Sequence, residues 1–145
     1  MERLFHRGIL ILAALAAISL SGCASMGVGP IKSVYHINDS SHARAAMRNV
    51  GNQLKVDPTA KIVVVAHSKG VDFLMDGAKD KNGNPYNITV EQLVAKGVTF
   101  DVCEITLKSR KLSKDQFIPE AKFVPSGVGE LAKLQYREGY TYVKP

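Results

Sequence analysis

The sequence predicts a single α/β domain built on a mostly parallel sheet with helices on both faces. Residues 61–66 (KIVVVA) form a continuous run rich in β-branched side chains, as expected of a strand covered on both sides. Elsewhere, segments of strand character alternate with segments of helical spacing, the pattern of parallel strands joined by crossover helices. The chain has 145 residues, 46% hydrophobic and 22% charged, which is enough ordinary globular sequence for one core without disulfide staples.

The first residues read as an export segment. Arg3 and Arg7 make a positive start, and Ile9 to Leu20 form an apolar run of 12 residues, short for a membrane span and suited to a signal peptide. Leu20-Ser21-Gly22-Cys23 resembles the bacterial lipobox, in which the cysteine is acylated and the chain is cut before it. Several acyl chains on Cys23 would give a lasting membrane anchor. The expected organisation is a signal peptide over residues 1–22, a lipidated tether over 23–30 and a folded domain over 31–145. The expected location is the periplasm, at the outer membrane because Ala24 rather than Asp follows the cysteine.

Within the domain, Ile31 to Asn38 reads as the first strand. Asp39 and Ser40 can cap a helix whose apolar face is Ala43, Ala46, Met47, Val50 and Leu54, ended by Asp57-Pro58. The second strand is Lys61 to Ala66, followed by a short helix over Gly70 to Ala78. Asp80 to Asn87 is a loop of turn-forming residues. Thr89 to Lys96 is a helix with Val90, Leu93 and Val94 inward, stopped by Gly97. Val98 to Cys103 is the third strand, followed by helical turns at Ile105 to Arg110 and Ser113 to Phe117. Lys122 to Val124 is the fourth strand, a helix runs from Ser126-Gly127 through Arg137, and Tyr140 to Val143 is a last short strand after Gly139.

The formal net charge of +6 comes from lysines and arginines spread among acids, with no basic run interleaved with aromatics. That pattern speaks against a nucleic-acid partner and fits a solvated surface near anionic headgroups.

Sites in open parallel sheets lie beyond the carboxyl ends of the strands. Three chemistries are conceivable at that edge. Ala66-His67-Ser68-Lys69-Gly70 looks like a variant nucleophile elbow, but the chain's histidines are His6, His36, His42 and His67, and none follows Ser68 as the hydrolase order requires. His36, His67 and Cys103, with Asp39 nearby, are residue types that bind zinc, yet no paired ligand spacing supports them. The third is thiol chemistry at Cys103, the free thiol left if Cys23 is acylated. A short helix beginning beyond it, with Lys69, Lys108, Arg110 and Lys111 around it, would favour a thiolate, whereas Glu104 would oppose one.

The domain resembles the DsrE/DsrF-like family of small sulfur-relay-related proteins. The likeness lies in the order of several segments: the opening strand ending at Asn38-Asp39, Val63 to Val71 (VVVAHSKGV), and Leu93 to Val98 (LVAKGV). It continues with Phe100 to Cys103 (FDVC) and Thr106-Leu107, Phe123 to Val128 (FVPSGV), and Gln135 through Gly139 to Pro145. The resemblance implies a three-layer α/β/α fold with a mostly parallel five-stranded sheet, and homo-oligomers, either trimers or hexamers. It also implies that Cys103 accepts sulfane sulfur as a persulfide from a donor protein and passes it to an acceptor, with His67 beside the cavity. Ile105 stands where many relatives have Asn, and the relatives' best-known relays are cytoplasmic.

The leading expectation is therefore an exported sulfur-binding or sulfur-relay protein, a covalent carrier rather than a turnover enzyme. Cys103 is its nucleophile and His67, Asn38 and Lys69 line its site, with no metal or cofactor. The alternative is a non-catalytic oligomeric envelope module that binds a small anion or a protein partner and in which Cys103 is structural.

Overall fold

The computed structural model describes residues 29–145; the expected signal peptide, Cys23 and most of the expected tether lie outside the described residues. The strands are β1 (Lys32–Asp39), β2 (Lys61–Lys69), β3 (Thr99–Cys103), β4 (Ala121–Val124) and β5 (Thr141–Val143). The α-helices are α1 (Ala43–Val56), α2 (Asn87–Val94), α3 (Glu104–Arg110) and α4 (Gly127–Glu138). The five strands form one sheet in the order β4-β3-β2-β1-β5, and every neighbouring pair is parallel. Among the described residues no helix is long and apolar enough to cross a membrane.

Strand alternation sorts the side chains into two cores. Tyr35, Ile37, Val64, Phe100 and Val102 pack with Met47 and Val50 of α1, Val90 and Leu93 of α2, and Leu107 of α3. Val34, Val63 and Val65 point the other way, onto Leu131 and Leu134 of α4. The sheet is therefore the middle of three layers, and the β2 run is apolar throughout because both of its faces are covered.

The helices start and stop where their local chemistry requires. Asp39 accepts the Ser41 N–H at 2.8 Å and opens a 3-10 turn over Ser40–His42 that feeds α1. The predicted apolar face of α1 is the buried one. Ser126 caps α4 by accepting the Gly129 N–H at 3.1 Å, and Gly139 ends it at φ 72°.

The predicted helix over Gly70 to Ala78 is instead a 3-10 turn over Gly70–Leu74. Beyond it the backbone bonds sideways: the Asp76 N–H donates to Gln116 O at 2.8 Å, and the Leu74 carbonyl accepts from the Ile118 N–H at 3.0 Å. Met75 then bridges Phe117, so helix-like apolar spacing was overridden by long-range pairing. The second strand also runs three residues further than predicted, to Lys69.

Candidate functional site

The same alternation that builds the α4-side core carries chemistry at the carboxyl ends of the strands. His36 follows Val34 in parity on β1, and His67 follows Val63 and Val65 on β2. Cys103 ends β3, next to β2 in the sheet, and Tyr142 lies on β5, the other neighbour of β1. Four adjacent strands thus set Cys103, His67, His36 and Tyr142 in a row.

Cys103 is a free thiol, 5% exposed, at the junction of β3 and α3. Burial pushes its pKa up, but hydrogen bonds from the Gly127 and Thr106 N–H groups, the Thr106 hydroxyl and the Ile105 N–H outweigh that, and the net shift is downward. Thr106 is itself buried, and its Oγ1 accepts the Ser68 N–H at 2.9 Å, leaving the hydroxyl proton free to serve the sulfur. Space at Gly127 is tight: a Cβ there would lie 3.0 Å from Cys103 Cβ and 3.2 Å from His67 Cβ. The first turn of α4 therefore rests directly on both residues.

Two of the basic residues expected to support the thiolate have other neighbours. Lys69 stands in register with Asp39, on the β1 side of β2. Arg110 donates to the Ser68 carbonyl at 3.0 Å and pairs with Asp72 at 2.6 Å. Hydrogen-bond donors, rather than cations, lower the Cys103 pKa. Glu104, expected to oppose ionisation, is paired with Lys114 at 2.5 Å.

β2 changes register at this edge. Ile37 pairs with Ala66 but Asp39 pairs with Lys69, so β2 carries one extra residue. Within that bulge Ser68 takes φ 54°, a left-handed conformation that costs a non-glycine residue roughly 1–2 kcal/mol. Thr106 and Arg110 hold it there through its N–H and carbonyl. Gly70 lets the chain leave the bulge, since a Cβ there would sit 2.1 Å from the Ile37 carbonyl oxygen.

The bulge aims Ser68 Oγ at His67 Nδ1, 2.9 Å away. His67 Nε2 lies 2.6 Å from His36 Nε2, and His36 Nδ1 lies 2.6 Å from the Tyr142 hydroxyl. The two rings stack with centroids 4.7 Å apart. Burial, then the Lys144 ammonium, then its partner ring lower the His36 pKa to about 4. Burial and Lys144 lower that of His67 as well. Both rings are therefore neutral near pH 7. Asn38 accepts a hydrogen bond from Lys144 and so holds that cation beside the pair.

The two histidines weighed above as metal ligands are thus bonded to each other, at a separation too short for an ion between two nitrogens that each need about 2.0–2.1 Å. Among the described residues, no group of three or more His, Cys, Asp or Glu side chains could hold a metal. The serine without a downstream base has His67 as its hydrogen-bond partner. Thr106, Gly127 and Tyr142 were not singled out from sequence. The shared parity of His36, His67 and Cys103 was the available signal, but it needs the strand register before it means anything.

The sequence profile of the DsrE/DsrF-like family matches residues 23–145. A protein of unknown function, MTH1491, from Methanobacterium thermoautotrophicum is 30% identical, with TM-score 0.71 over 79% of this chain and 99% of its own. The ychN protein from E. coli is 17% identical, with TM-score 0.63 over 81% of this chain and all of its own, and shares the fold. Comparison with curated proteins gives no match.

Proposed function

We propose a function from one premise: the chain belongs to the DsrE/DsrF-like family, and its role is sulfur-relay-related in that general sense. The finer reading is that Cys103 carries sulfane sulfur as a persulfide. One observation supports it above the rest. The thiol sits at the end of a parallel strand where the Gly127, Thr106 and Ile105 N–H groups and the Thr106 hydroxyl all favour its anion. An anionic sulfur is both the attacking form and the form in which a bound persulfide persists.

In this reading Cys23 is acylated, the domain works in the periplasm at the outer membrane, and homo-oligomers meet separate sulfur donor and acceptor proteins. His67 and Cys103 both meet the first turn of α4 at Gly127, and Asn38 acts by holding Lys144 near the histidine pair. Substituting Cys23→Ser should release the protein from the membrane fraction; retention there would refute the anchor.

The 5% exposure of Cys103 favours a second reading, in which the cysteine is structural and the edge binds a small anion or a protein partner. Mass spectrometry after polysulfide treatment separates the two. The carrier reading expects one added sulfur atom on Cys103 in native protein, removed by a reductant. Sulfur uptake only after denaturation would establish the structural reading.

A further inference from the structure

We infer that Tyr142, His36, His67 and Ser68 form a proton path along the carboxyl edge of the sheet, from the β5 end toward Cys103, serving the thiolate that leaves when sulfur is loaded. The inference rests on the carrier reading and assigns three further residues to that site.

The links are 2.9 Å from Ser68 Oγ to His67 Nδ1, 2.6 Å between the two Nε2 atoms, and 2.6 Å from His36 Nδ1 to the Tyr142 hydroxyl. Each member is a hydroxyl, a phenol or an imidazole, a group that can both donate and accept. No carboxylate or backbone carbonyl, which only accepts, interrupts the series. Between two neutral rings, one Nε2 must carry the shared proton and the other must be bare. If His67 donates, His36 Nδ1–H donates to Tyr142 and His67 Nδ1 accepts from Ser68. If His36 donates, Tyr142 donates to His36 Nδ1 and His67 Nδ1–H donates to Ser68. Passing from the second arrangement to the first carries one proton from the Tyr142 end to the Ser68 end and leaves both rings neutral.

The two ends are placed for this work. Tyr142 is 42% exposed, and Ser68 is joined to the sulfur through Thr106: its N–H bonds the Thr106 hydroxyl that serves Cys103. Burial and the facing Lys144 cation both disfavour a positive charge on the pair, which keeps the rings in the neutral form that relays. The strained φ of Ser68 then has a purpose, because the bulge turns its hydroxyl onto His67.

The Cys103 thiolate attacks the outer sulfur of a donor persulfide, R–S–SH. A Cys103–S bond forms, the R–S bond to the outer sulfur breaks, and its electron pair leaves on R–S⁻. Cys103 is oxidised to the persulfide level and the donor's inner sulfur is reduced to a thiol. R–S⁻ takes the Ser68 proton. Ser68 is refilled from His67 Nδ1, His67 Nε2 from His36 Nε2, His36 Nδ1 from Tyr142, and Tyr142 from solvent.

The test uses the full-length protein, glutathione persulfide as donor, and Tyr142→Phe and His36→Gln variants beside wild type. The path expects single-turnover loading to slow by roughly 10–100-fold in both variants, with an unchanged endpoint and partial rescue by added imidazole. It also expects Tyr142→Phe to shift the ¹⁵N resonances of the His67 ring, two links away. Wild-type loading with unaltered variant rates would overturn the path and leave the carrier reading intact. Slower loading with no rescue and unmoved His67 signals would make these residues structural and would also overturn it. No sulfur uptake by wild type would defeat the carrier reading and the path together.

Discussion

At the amino edge of the sheet, the start of β1, the turn after α1 and the end of α2 surround a groove of about 630 Å³ lined by Pro30, Asp57, Lys61 and Lys96, among others. At the carboxyl edge, four strand ends instead concentrate a thiol, two coupled imidazoles, a phenol and a strained serine. The groove has room but idle chemistry: the Asp57 carboxylate is taken up by the Thr59 N–H at 3.0 Å and its hydroxyl at 2.6 Å. The carboxyl edge has lowered pKa values, a register shift and a left-handed residue, features that cost stability and persist at sites of function.

Substitutions can break or sharpen that contrast. The largest effect belongs to Cys103→Ser, which should abolish sulfur uptake while changing stability by less than about 1 kcal/mol. Residual uptake at the wild-type level, read by mass spectrometry, would place the chemistry elsewhere. Gly127→Ala comes next, because its Cβ would press on both Cys103 and His67. It should cost about 1–3 kcal/mol in denaturant melts and slow thiol labelling.

Asp101, 6% exposed beneath α4, gives a pH-dependent effect. Burial, then the nearby Glu130 charge, raise its pKa to about 6, against weaker opposition from Lys122 and Lys133. The unfolded chain gives up this proton first, so the folded state loses stability as pH rises from about 4 to about 6. Asp101→Asn should therefore stabilise the protein at pH 7 by about 1–2 kcal/mol, and the gain should vanish below about pH 4. Thermal melts at the two pH values check it, and an equal effect at both would contradict it.

Smaller still is Thr106→Val, which removes the hydroxyl shared by Ser68 and Cys103 and should cost about 1 kcal/mol. At the amino edge, Lys96→Gln should stay within about 0.5 kcal/mol and leave Cys103 labelling unchanged. A change in labelling there would mean that the two edges are coupled.

The fold was largely legible because its signals are local. The KIVVVA run, the apolar face from Ala43 to Leu54 and the stop at Gly139 each mark an element through its own residues. The site was legible only in part. Cys103 and His67 were visible as strand-end residues, but the contact between His36 and His67 spans two strands and depends on a register that no single segment encodes. The surroundings of Lys69 were hidden for the same reason, since the extra residue in β2 puts it in register with Asp39. Gly70 and Gly127 read as helix-starting glycines, whereas they permit close approach to Ile37 and to Cys103 and His67.

The account depends on the acidity of one sulfur atom, and the rate of iodoacetamide labelling of Cys103 in folded protein, followed against pH, measures it directly. The inflection should fall below the value of about 8.5 for an ordinary cysteine and move upward in Thr106→Val. An inflection at or above that value, or labelling seen only after unfolding, would contradict the account.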